Sequence, residues 1–462
     1  PAPPKRDWAD KLASPYALNI HGGLPGIDYR GIARMGFNWV RDYAYSLEWM
    51  TRARGDDGKY AGWPYYPKLD QSIQDAGLVL LPCLMGGIGQ PVKAGRLRPD
   101  KAWRADILPI LLRFPQYAAW ELDNEYDYHN GREEEKDGWA CYDAYHKAFA
   151  QLVKTVDEGT LAVAQGQAGV HPEWVRRSVA NHSFDQIDVV NAHVYTGTKP
   201  PEVVTENANV GQEGEAPGLL YDVFRDFVAA SRGDGKQRQV WLTEFGWDTL
   251  AGYIVSEKEQ AAYLQRGFAL GLQAGLDKMF WYWQRDTKDK PKQYFDGCGL
   301  LDPADEPKPA AAAMAALTHF LPHPKPVGRC EPAPGALGSV FETDGKLVAL
   351  VYRVDPAAPA PTVDLPGGQL FDMYGNPLTE RRQKLDITPV WVVDLPRTDP
   401  LYQQAAYNLA TPGFTRVTAG DPLVIEAEVK GNRPTAIAGT MAAKVPNGWT
   451  ATALPAVAVA PG

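Results

Sequence analysis

The chain has 462 residues, of which 45% are apolar and 22% charged, a composition typical of a soluble globular protein with two or three domains. The formal net charge of −9 argues against nucleic acid or an anionic membrane as the main partner, because phosphates demand a basic surface. No run approaches 18 consecutive apolar residues, so no insertion into a membrane is expected.

From residue 14 to about residue 320, short apolar runs alternate with longer segments of helical periodicity. The clearest helical segment, 256–275, begins with a capping box formed by Ser256 and Glu259. Strands that alternate with helices predict βαβ units and a parallel sheet. The eight predicted strands cover residues 16–22, 37–44, 78–85, 117–124, 160–167, 188–195, 240–247 and 278–284.

Eight strands that are each followed by a helix favour a closed (β/α)8 barrel, the TIM barrel, over residues 1–322. A doubly wound open sheet is the alternative, although it would more naturally use five to seven strands. No G-x-G-x-x-G opens a helix after any predicted strand, and no G-x-x-x-x-G-K-[ST] occurs. A Rossmann dinucleotide site is therefore not expected.

A proline-rich stretch at 321–328 precedes a change of pattern. Short strands follow, and two of them flank an Asp-Gly turn, which is a strong hairpin signal. These features predict a small antiparallel, β-sandwich-like domain over residues 323–396. Residues 397–462 are predicted to be β-rich or irregular, and could be the start of a further module.

Two glutamates stand at ends of predicted strands, where a barrel of this kind carries its reacting groups. Glu125 follows Asn124 at the end of the fourth strand, and Glu244 lies near the end of the seventh. Two facing carboxylates suit glycoside hydrolysis, because one donates a proton to the leaving oxygen while the other attacks the anomeric carbon. The other candidates on this rim are Arg41, His193, Tyr195 and Trp281.

The two carboxyl groups must differ in pKa for this chemistry. We expect Arg41 and the Tyr195 hydroxyl to keep one glutamate ionised, while repulsion between the two glutamates raises the pKa of the other. In this interpretation Glu125 is the proton donor, and Asn124 binds a sugar hydroxyl.

Two short stretches resemble a known family. "WELDNEYD" (120–127) is similar to the W-E-x-W-N-E-P-D stretch of β-xylosidase-like members of the clan A retaining glycoside hydrolases. "WLTEFGW" (241–247) is similar to the T-E-F-G stretch of its cellulase- and mannanase-like members. The resemblance implies a (β/α)8 barrel in which Glu125 is the acid/base and Glu244 is the nucleophile.

The resemblance also implies roles for four neighbours of the two glutamates. Asn124 would contact the sugar 2-hydroxyl, and Tyr195 would hydrogen-bond to Glu244, with His193 on the same wall. Trp281 would form the apolar floor beneath the sugar. Asp123 and Tyr126 replace the Trp and Pro of the family pattern, so neither subfamily nor substrate follows from it.

The predicted function is a retaining glycosidase acting on a β-linked poly- or oligosaccharide. No cofactor is implied, and no metal site is expected, because no H-E-x-x-H occurs and the eight histidines are scattered. A serine hydrolase is disfavoured by the lack of a G-x-S-x-G motif. A non-catalytic carbohydrate-binding barrel and a transglycosylase with the same residues stay open. The sugar, the linkage, endo or exo action and the oligomeric state are left undetermined.

A glycan substrate predicts a secreted, periplasmic or cell-surface protein whose signal peptide has been removed. The four cysteines are expected to be buried thiols, with one disulfide as the alternative. The loop 196–218 is expected to shape the cleft. Weaker site candidates at strand ends and in loops are Asn19, His21, Trp247, Trp283, Tyr128 and His129.

Overall fold

The computed structural model describes most of the chain up to residue 410. The described ranges are 8–22, 26–43, 65–127, 138–202, 220–252, 254–288, 295–410, 428–431, 437–440, 450 and 456–459. Eight parallel strands form a closed barrel in chain order, which confirms the predicted (β/α)8 fold. The strands are β1 (Tyr16–Ile20), β2 (Trp39–Asp42), β3 (Val79–Leu84), β4 (Ala119–Leu122), β5 (Leu161–Val163), β6 (Val189–Val194), β7 (Gln239–Phe245) and β8 (Lys278–Trp281).

Helices lie between the strands and pack around the barrel. Those of the barrel region are α1 (Trp8–Ala13), α2 (Tyr29–Arg34), α3 (Tyr65–Asp75), α4 (Gly89–Lys93), α5 (Lys101–Arg113), α6 (Gly138–Val156), α7 (Pro172–Ala180), α8 (Leu220–Ser231), α9 (Glu257–Ala274) and α10 (Pro309–Phe320). At the start of α9, Ser256 and Glu259 form the predicted capping box. Gly275 ends the same helix with a φ of 96°, a left-handed conformation that glycine adopts without strain.

The inside of the barrel is built in layers, because every second side chain of a strand points inward. The lower layer is apolar and fully packed; its members include Ala17, Trp39, Ala119, Val189 and Trp241. Two residues further along the same five strands, a buried polar layer follows. Its members are Asn19, Arg41, Glu121, Asn191 and Thr243. The polar side chains inside the barrel therefore lie near the carboxyl ends of the strands.

Antiparallel strands follow the barrel, as predicted. They are β9 (Lys325–Cys330), β10 (Ala336–Thr343), β11 (Lys346–Arg353), β12 (Thr362–Asp364), β13 (Gln369–Phe371), β14 (Pro377–Leu378), β15 (Arg382–Lys384) and β16 (Val390–Val393). Six of them form one sheet in the order β14-β13-β16-β11-β10-β9, and β12 pairs with β15. Asp344 and Gly345, both with positive φ, make the tight turn between β10 and β11.

The antiparallel domain packs against α9 and α10. Side-chain amides of Gln265 and Gln273 donate to the carbonyl oxygens of Met373 and Val340, at 2.8 and 2.7 Å. Beyond it, the described residues contain α11 (Pro400–Ala405) and two short two-stranded sheets. Their strands are β17 (Tyr407–Ala410), β18 (Glu428–Gly431), β19 (Ile437–Thr440) and β20 (Ala456–Val459).

Two sequence expectations concern the chain as a whole. All four cysteines lie in described ranges, are buried and form no disulfide with one another. Among the helices of the described ranges, none has the length and apolar character needed to cross a bilayer.

Candidate active site

Glu244 lies on β7 at a break in the register of the strand. Ala192 of β6 faces Leu242, but the next residue, His193, faces Glu244, so that Thr243 is an extra residue. A bulge of this kind lets two consecutive side chains reach the same side, whereas in a regular strand they point to opposite faces. Thr243 and Glu244 consequently both form hydrogen bonds inside the barrel.

The carboxylate of Glu244 is buried among groups that stabilise its charge. The Tyr195 hydroxyl donates to Oε2 at 2.6 Å, Arg41 Nη1 donates to Oε1 at 3.0 Å, and the Tyr43 hydroxyl also donates to Oε1. Burial alone would raise the pKa of Glu244, but the charges of His193 and Arg41 and the two phenolic hydrogen bonds hold this pKa below its usual value. Glu244 is therefore ionised at neutral pH, as a carboxylate nucleophile must be.

Glu125 lies three residues after the end of β4 and has an uncommon backbone conformation. Its φ is 46°, in the left-handed region that residues other than glycine rarely adopt. The Glu125 N–H donates to the carbonyl oxygen of Gly166 at 2.9 Å, which fixes this conformation against the loop after β5. The side chain is 21% exposed, and its carboxylate lies 2.7 Å from His193 Nδ1. An acid that reaches both solvent and a histidine is well placed to exchange protons.

The hydrogen bonds of His193 determine where its protons lie. Glu121 accepts from the Asn191 amide N–H, so the Asn191 oxygen is left to accept the Thr243 hydroxyl proton. The Thr243 oxygen then accepts from His193 Nε2–H, 3.0 Å away. His193 Nδ1 consequently shares one proton with the carboxyl group of Glu125.

The two glutamates and His193 form one compact group. A carboxylate oxygen of Glu125, one of Glu244 and a ring nitrogen of His193 all lie within 4.8 Å of one another. Burial would lower the pKa of His193, but the negative charges of Glu244 and Glu125 raise it above its usual value. These three side chains could coordinate a metal cation. The Arg41 guanidinium already compensates Glu244 at 3.0 Å, which favours an acid pair over a metal site.

Arg41 lies below the two glutamates in the polar layer. It is fully buried, and it donates hydrogen bonds to Glu121, to Glu244 and, at 2.8 Å, to Asn124 Oδ1. The predicted substrate-binding role of Arg41 is thus corrected, because a side chain without exposed surface cannot contact a substrate. Asn124 is only partly buried and keeps its place at the rim beside Glu125.

The prediction that Trp281 forms the floor of the cleft is wrong. Trp281 is fully buried in the apolar core shared with the helices, with its ring centroid 5.3 Å from that of Phe245 and 5.9 Å from that of Trp247. The alternation of side chains along β8 turns Trp281 away from the barrel axis and the next residue, Tyr282, toward it. Tyr282 is only partly buried and meets the Tyr195 ring edge-on at 6.3 Å. Tyr282, rather than Trp281, therefore presents an aromatic ring toward the barrel axis.

Besides Tyr282, sequence reasoning missed Tyr43, which donates to Glu244, and Phe295, which packs against Tyr195. Tyr43 lies two residues after Arg41, and this spacing, which places both on one face of a strand, could have revealed it. Phe295 has a φ of 90°, and its N–H donates to Asp248 Oδ2 at 2.7 Å. Its ring packs edge-on against Tyr195 at 4.6 Å. No sequence pattern indicates the position of Phe295, because the contact joins two distant loops.

The weaker candidates have different outcomes. His21 and Trp283 pack together at 4.5 Å on the wall beside Tyr43. Asn19 belongs to the polar layer and donates to the Thr243 carbonyl oxygen at 2.8 Å. Trp247 is buried in the core. Tyr128, His129 and residues 203–218 of the predicted cleft loop lie outside the described residues.

The four acidic residues of "WELDNEYD" have different partners. Glu121 pairs with Arg41 inside the barrel. Asp123 accepts three backbone N–H groups from the loop 86–89, at 2.7 to 2.8 Å. Asp127 accepts a backbone N–H from the loop after β5 at 2.9 Å. All three are buried, and only the remaining acid of the run reaches solvent.

Solved structures with a similar fold include three glycosidases. A family 39 glycoside hydrolase from the gut symbiont Bacteroides cellulosilyticus WH2 has a TM-score of 0.66 and 19% identity, over 84% of this chain and 82% of that chain. A monomeric β-xylosidase from Caulobacter crescentus CB15 has a TM-score of 0.54 and 14% identity, over 86% and 97%. A glucosidase from Croceicoccus marinus has a TM-score of 0.54 and 12% identity, over 82% and 99%.

At these identities the likeness establishes the fold alone, a (β/α)8 barrel followed by further domains. No protein-family model matches the sequence, and no curated protein matches it either. The activity must therefore be argued from the site.

Proposed function

We propose that the protein is a retaining glycoside hydrolase that cleaves β-glycosidic bonds, with Glu125 as acid/base and Glu244 as nucleophile. The observation that carries the proposal is the short distance between their carboxylates, whose oxygens lie within 4.8 Å of each other. Retaining enzymes place the two carboxyl groups about 5–5.5 Å apart, whereas inverting enzymes leave about 6.5–9.5 Å for a water molecule.

In the first step Glu244 attacks the anomeric carbon and forms a glycosyl ester, while the bond from that carbon to the leaving oxygen breaks. Glu125 gives its proton to the leaving oxygen and becomes ionised. The hydrogen bond between Glu125 and His193 Nδ1 supports this assignment, because the proton shared by the two groups lies within reach of the exposed carboxyl group.

In the second step a water molecule attacks the anomeric carbon, and Glu125 takes one of its protons. The bond to Glu244 breaks, and its carboxylate is regenerated among Arg41, Tyr43 and Tyr195. These donors favour the charged form of the leaving carboxylate. The proton that Glu125 takes from water replaces the one it gave to the leaving oxygen, so both carboxyl groups return to their starting states.

The substrate proposed is a β-linked oligo- or polysaccharide. Two of the solved structures with this fold are a β-xylosidase and a glucosidase, which supports a pentose or hexose in the central subsite. Aromatic side chains around the carboxylates suit the flat apolar faces of such sugars. A polymeric substrate also supports the proposal that the protein acts outside the cytoplasm.

The test is a release assay on a panel of aryl β-glycosides and polysaccharides, with the wild type beside Glu244→Ala. We expect the substitution to abolish turnover of whichever substrate the wild type cleaves, because Glu244 is the carboxylate that forms the ester. Added azide should restore turnover of an activated aryl glycoside and yield a glycosyl azide of inverted configuration. Glu158→Ala, on the exposed loop before β5, is the control and should retain full activity.

Full activity of Glu244→Ala would contradict the nucleophile assignment. If acceptor sugars divert the product to new glycosides, the protein is a transglycosylase with the same residues. Sugar binding without any cleavage would instead indicate a non-catalytic barrel.

A further inference from the structure

Among the buried acids that take no part in the two-step reaction, Glu121 lies nearest to its charged groups, because it pairs with Arg41. Glu121 is fully buried in the polar layer, and both of its carboxylate oxygens accept hydrogen bonds from Arg41, from Nε and, at 3.0 Å, from Nη2. Arg41 in turn contacts Glu244 through Nη1. A single buried cation thus lies between two carboxylates, of which only Glu244 can reach a substrate.

The proposed reaction moves negative charge away from Arg41. Formation of the glycosyl ester neutralises Glu244, and proton donation leaves the charge on Glu125, which contacts His193 rather than Arg41. A fully buried guanidinium without a counter-ion is strongly unfavourable. Arg41 therefore needs a second carboxylate that stays ionised during the glycosyl-enzyme stage.

We propose that Glu121 is a positioning residue that acts as the permanent counter-ion of Arg41 while Glu244 forms and releases its ester. The inference rests on the proposed function and adds a charged residue that never touches the substrate. Glu121 also orients the Asn191 amide, which sets the hydrogen bond of Thr243 to His193. Glu121 thereby supports both the contact of Arg41 with Glu244 and the hydrogen bond of Thr243 with His193.

The substitution Glu121→Gln distinguishes a counter-ion role of Glu121 from a packing role. A glutamine oxygen can still accept from the Asn191 amide, but the negative charge is lost. If Glu121 is the counter-ion, Arg41 then depends on Glu244 alone, which lowers the pKa of Glu244 and disfavours its conversion to an ester. If Glu121 only fills space, the glutamine of equal size leaves Arg41 in place and the pKa of Glu244 unchanged.

Other groups that bear on the titration of Glu244 come from several strands and stay unchanged in the variant. They are His21, Tyr43, Cys83, Glu125, His193, Tyr195, Tyr282 and Cys298. The difference between wild type and variant therefore reports the charge at position 121.

The first measurement needs no substrate. Side-chain carboxyl carbons of 13C-labelled glutamates are titrated by NMR, and the Glu244 signal is assigned by its loss in Glu244→Gln. We expect Glu121→Gln to lower the pKa of Glu244 by about one unit, since one unit is a typical effect of a nearby buried charge. A rise of this pKa, or no change, would overturn the proposal.

The second measurement is single-turnover kinetics with an activated aryl glycoside. We expect Glu121→Gln to slow release of the aryl group at least about tenfold, while hydrolysis of the glycosyl-enzyme is unchanged or faster because it restores the charge of Glu244. Equal slowing of both steps would indicate general disruption and contradict the counter-ion role. If no substrate of the wild type is found, the proposed hydrolase fails, while the NMR titration still decides the role of Glu121.

Two further variants separate charge from folding. Glu202→Gln removes the carboxylate from a second buried ion pair, that with Arg266 of α9, and should leave the titration and both rates as in wild type. Glu121→Asp keeps the charge one methylene shorter, and should titrate closer to wild type than Glu121→Gln does. If neither substitution at 121 folds, packing rather than charge governs this position and the proposal is wrong.

Discussion

Tyr195 illustrates how one hydroxyl controls the charge of a catalytic carboxylate. Its hydrogen bond to Glu244 at 2.6 Å is among the interactions that lower the pKa of that residue. We expect Tyr195→Phe to raise the pKa of Glu244, so that the acidic limb of the kcat/KM profile moves to higher pH. A hydrogen bond to a charged group contributes about 1.5–3 kcal/mol, which predicts a loss of about tenfold or more in kcat/KM.

The measurement is a pH profile of kcat/KM for wild type and variant on one aryl glycoside. Tyr352→Phe, which removes a hydroxyl from a buried tyrosine of β11, is the matched control and should change neither limb. An acidic limb that stays in place in Tyr195→Phe would show that this hydroxyl does not set the charge of Glu244.

At the scale of the elements, β5 and the loop after it determine how closely β4 and β6 approach. Gly166 accepts the Glu125 N–H at its carbonyl oxygen, and a Cβ atom on this glycine would lie 2.1 Å from His193 Nε2. We expect Gly166→Ala to displace His193 from Thr243 and Glu125 and to lower kcat by at least about tenfold, because proton transfer depends on this geometry.

A second glycine near β5 provides the control for this prediction. A Cβ atom on Gly159 would meet its nearest neighbour, Asp157 Oδ1, only at 3.5 Å, an ordinary contact. Gly159→Ala should therefore keep wild-type kcat, with circular dichroism used to confirm that both variants are folded. Wild-type kcat in Gly166→Ala would show that the histidine is free to shift without loss of function.

The sequence predicts the elements of the barrel well and their details less well. All eight strands are predicted from the sequence, because buried runs of three to seven residues between amphipathic helices are distinctive. The predicted strand ends also place Glu125 and Glu244 on the same rim of the barrel, where the structure has them. The bulge at Thr243 could not be predicted, since it depends on pairing with two neighbouring strands. Trp281 was misplaced for a related reason, because a shift of one residue exchanges the inner and outer faces of a strand.

At the scale of the whole molecule, the barrel and the antiparallel domain share one apolar core. Trp391 of β16 is fully buried and packs against Phe320 at the end of α10, with ring centroids 5.3 Å apart. Phe371 of β13 contacts the same phenylalanine at 5.0 Å. Arg266 of α9 donates to the Val354 carbonyl oxygen at 3.0 Å, which adds a buried polar contact between the domains. Such an interface couples the stability of the two parts.

We therefore expect one cooperative unfolding transition, and a variant of the interface should lower its midpoint without dividing it. Trp391→Ala removes a large buried side chain and should reduce the free energy of unfolding by about 3–5 kcal/mol. Urea unfolding followed both by far-ultraviolet circular dichroism and by glycosidase activity measures this effect. Leu378→Ala on the edge strand β14, where the side chain is only partly buried, should cost about 1 kcal/mol or less. If activity in Trp391→Ala instead persists to the wild-type urea midpoint while part of the dichroism signal is lost earlier, the domains unfold separately. The antiparallel domain would then be an attached module whose packing does not stabilise the catalytic barrel.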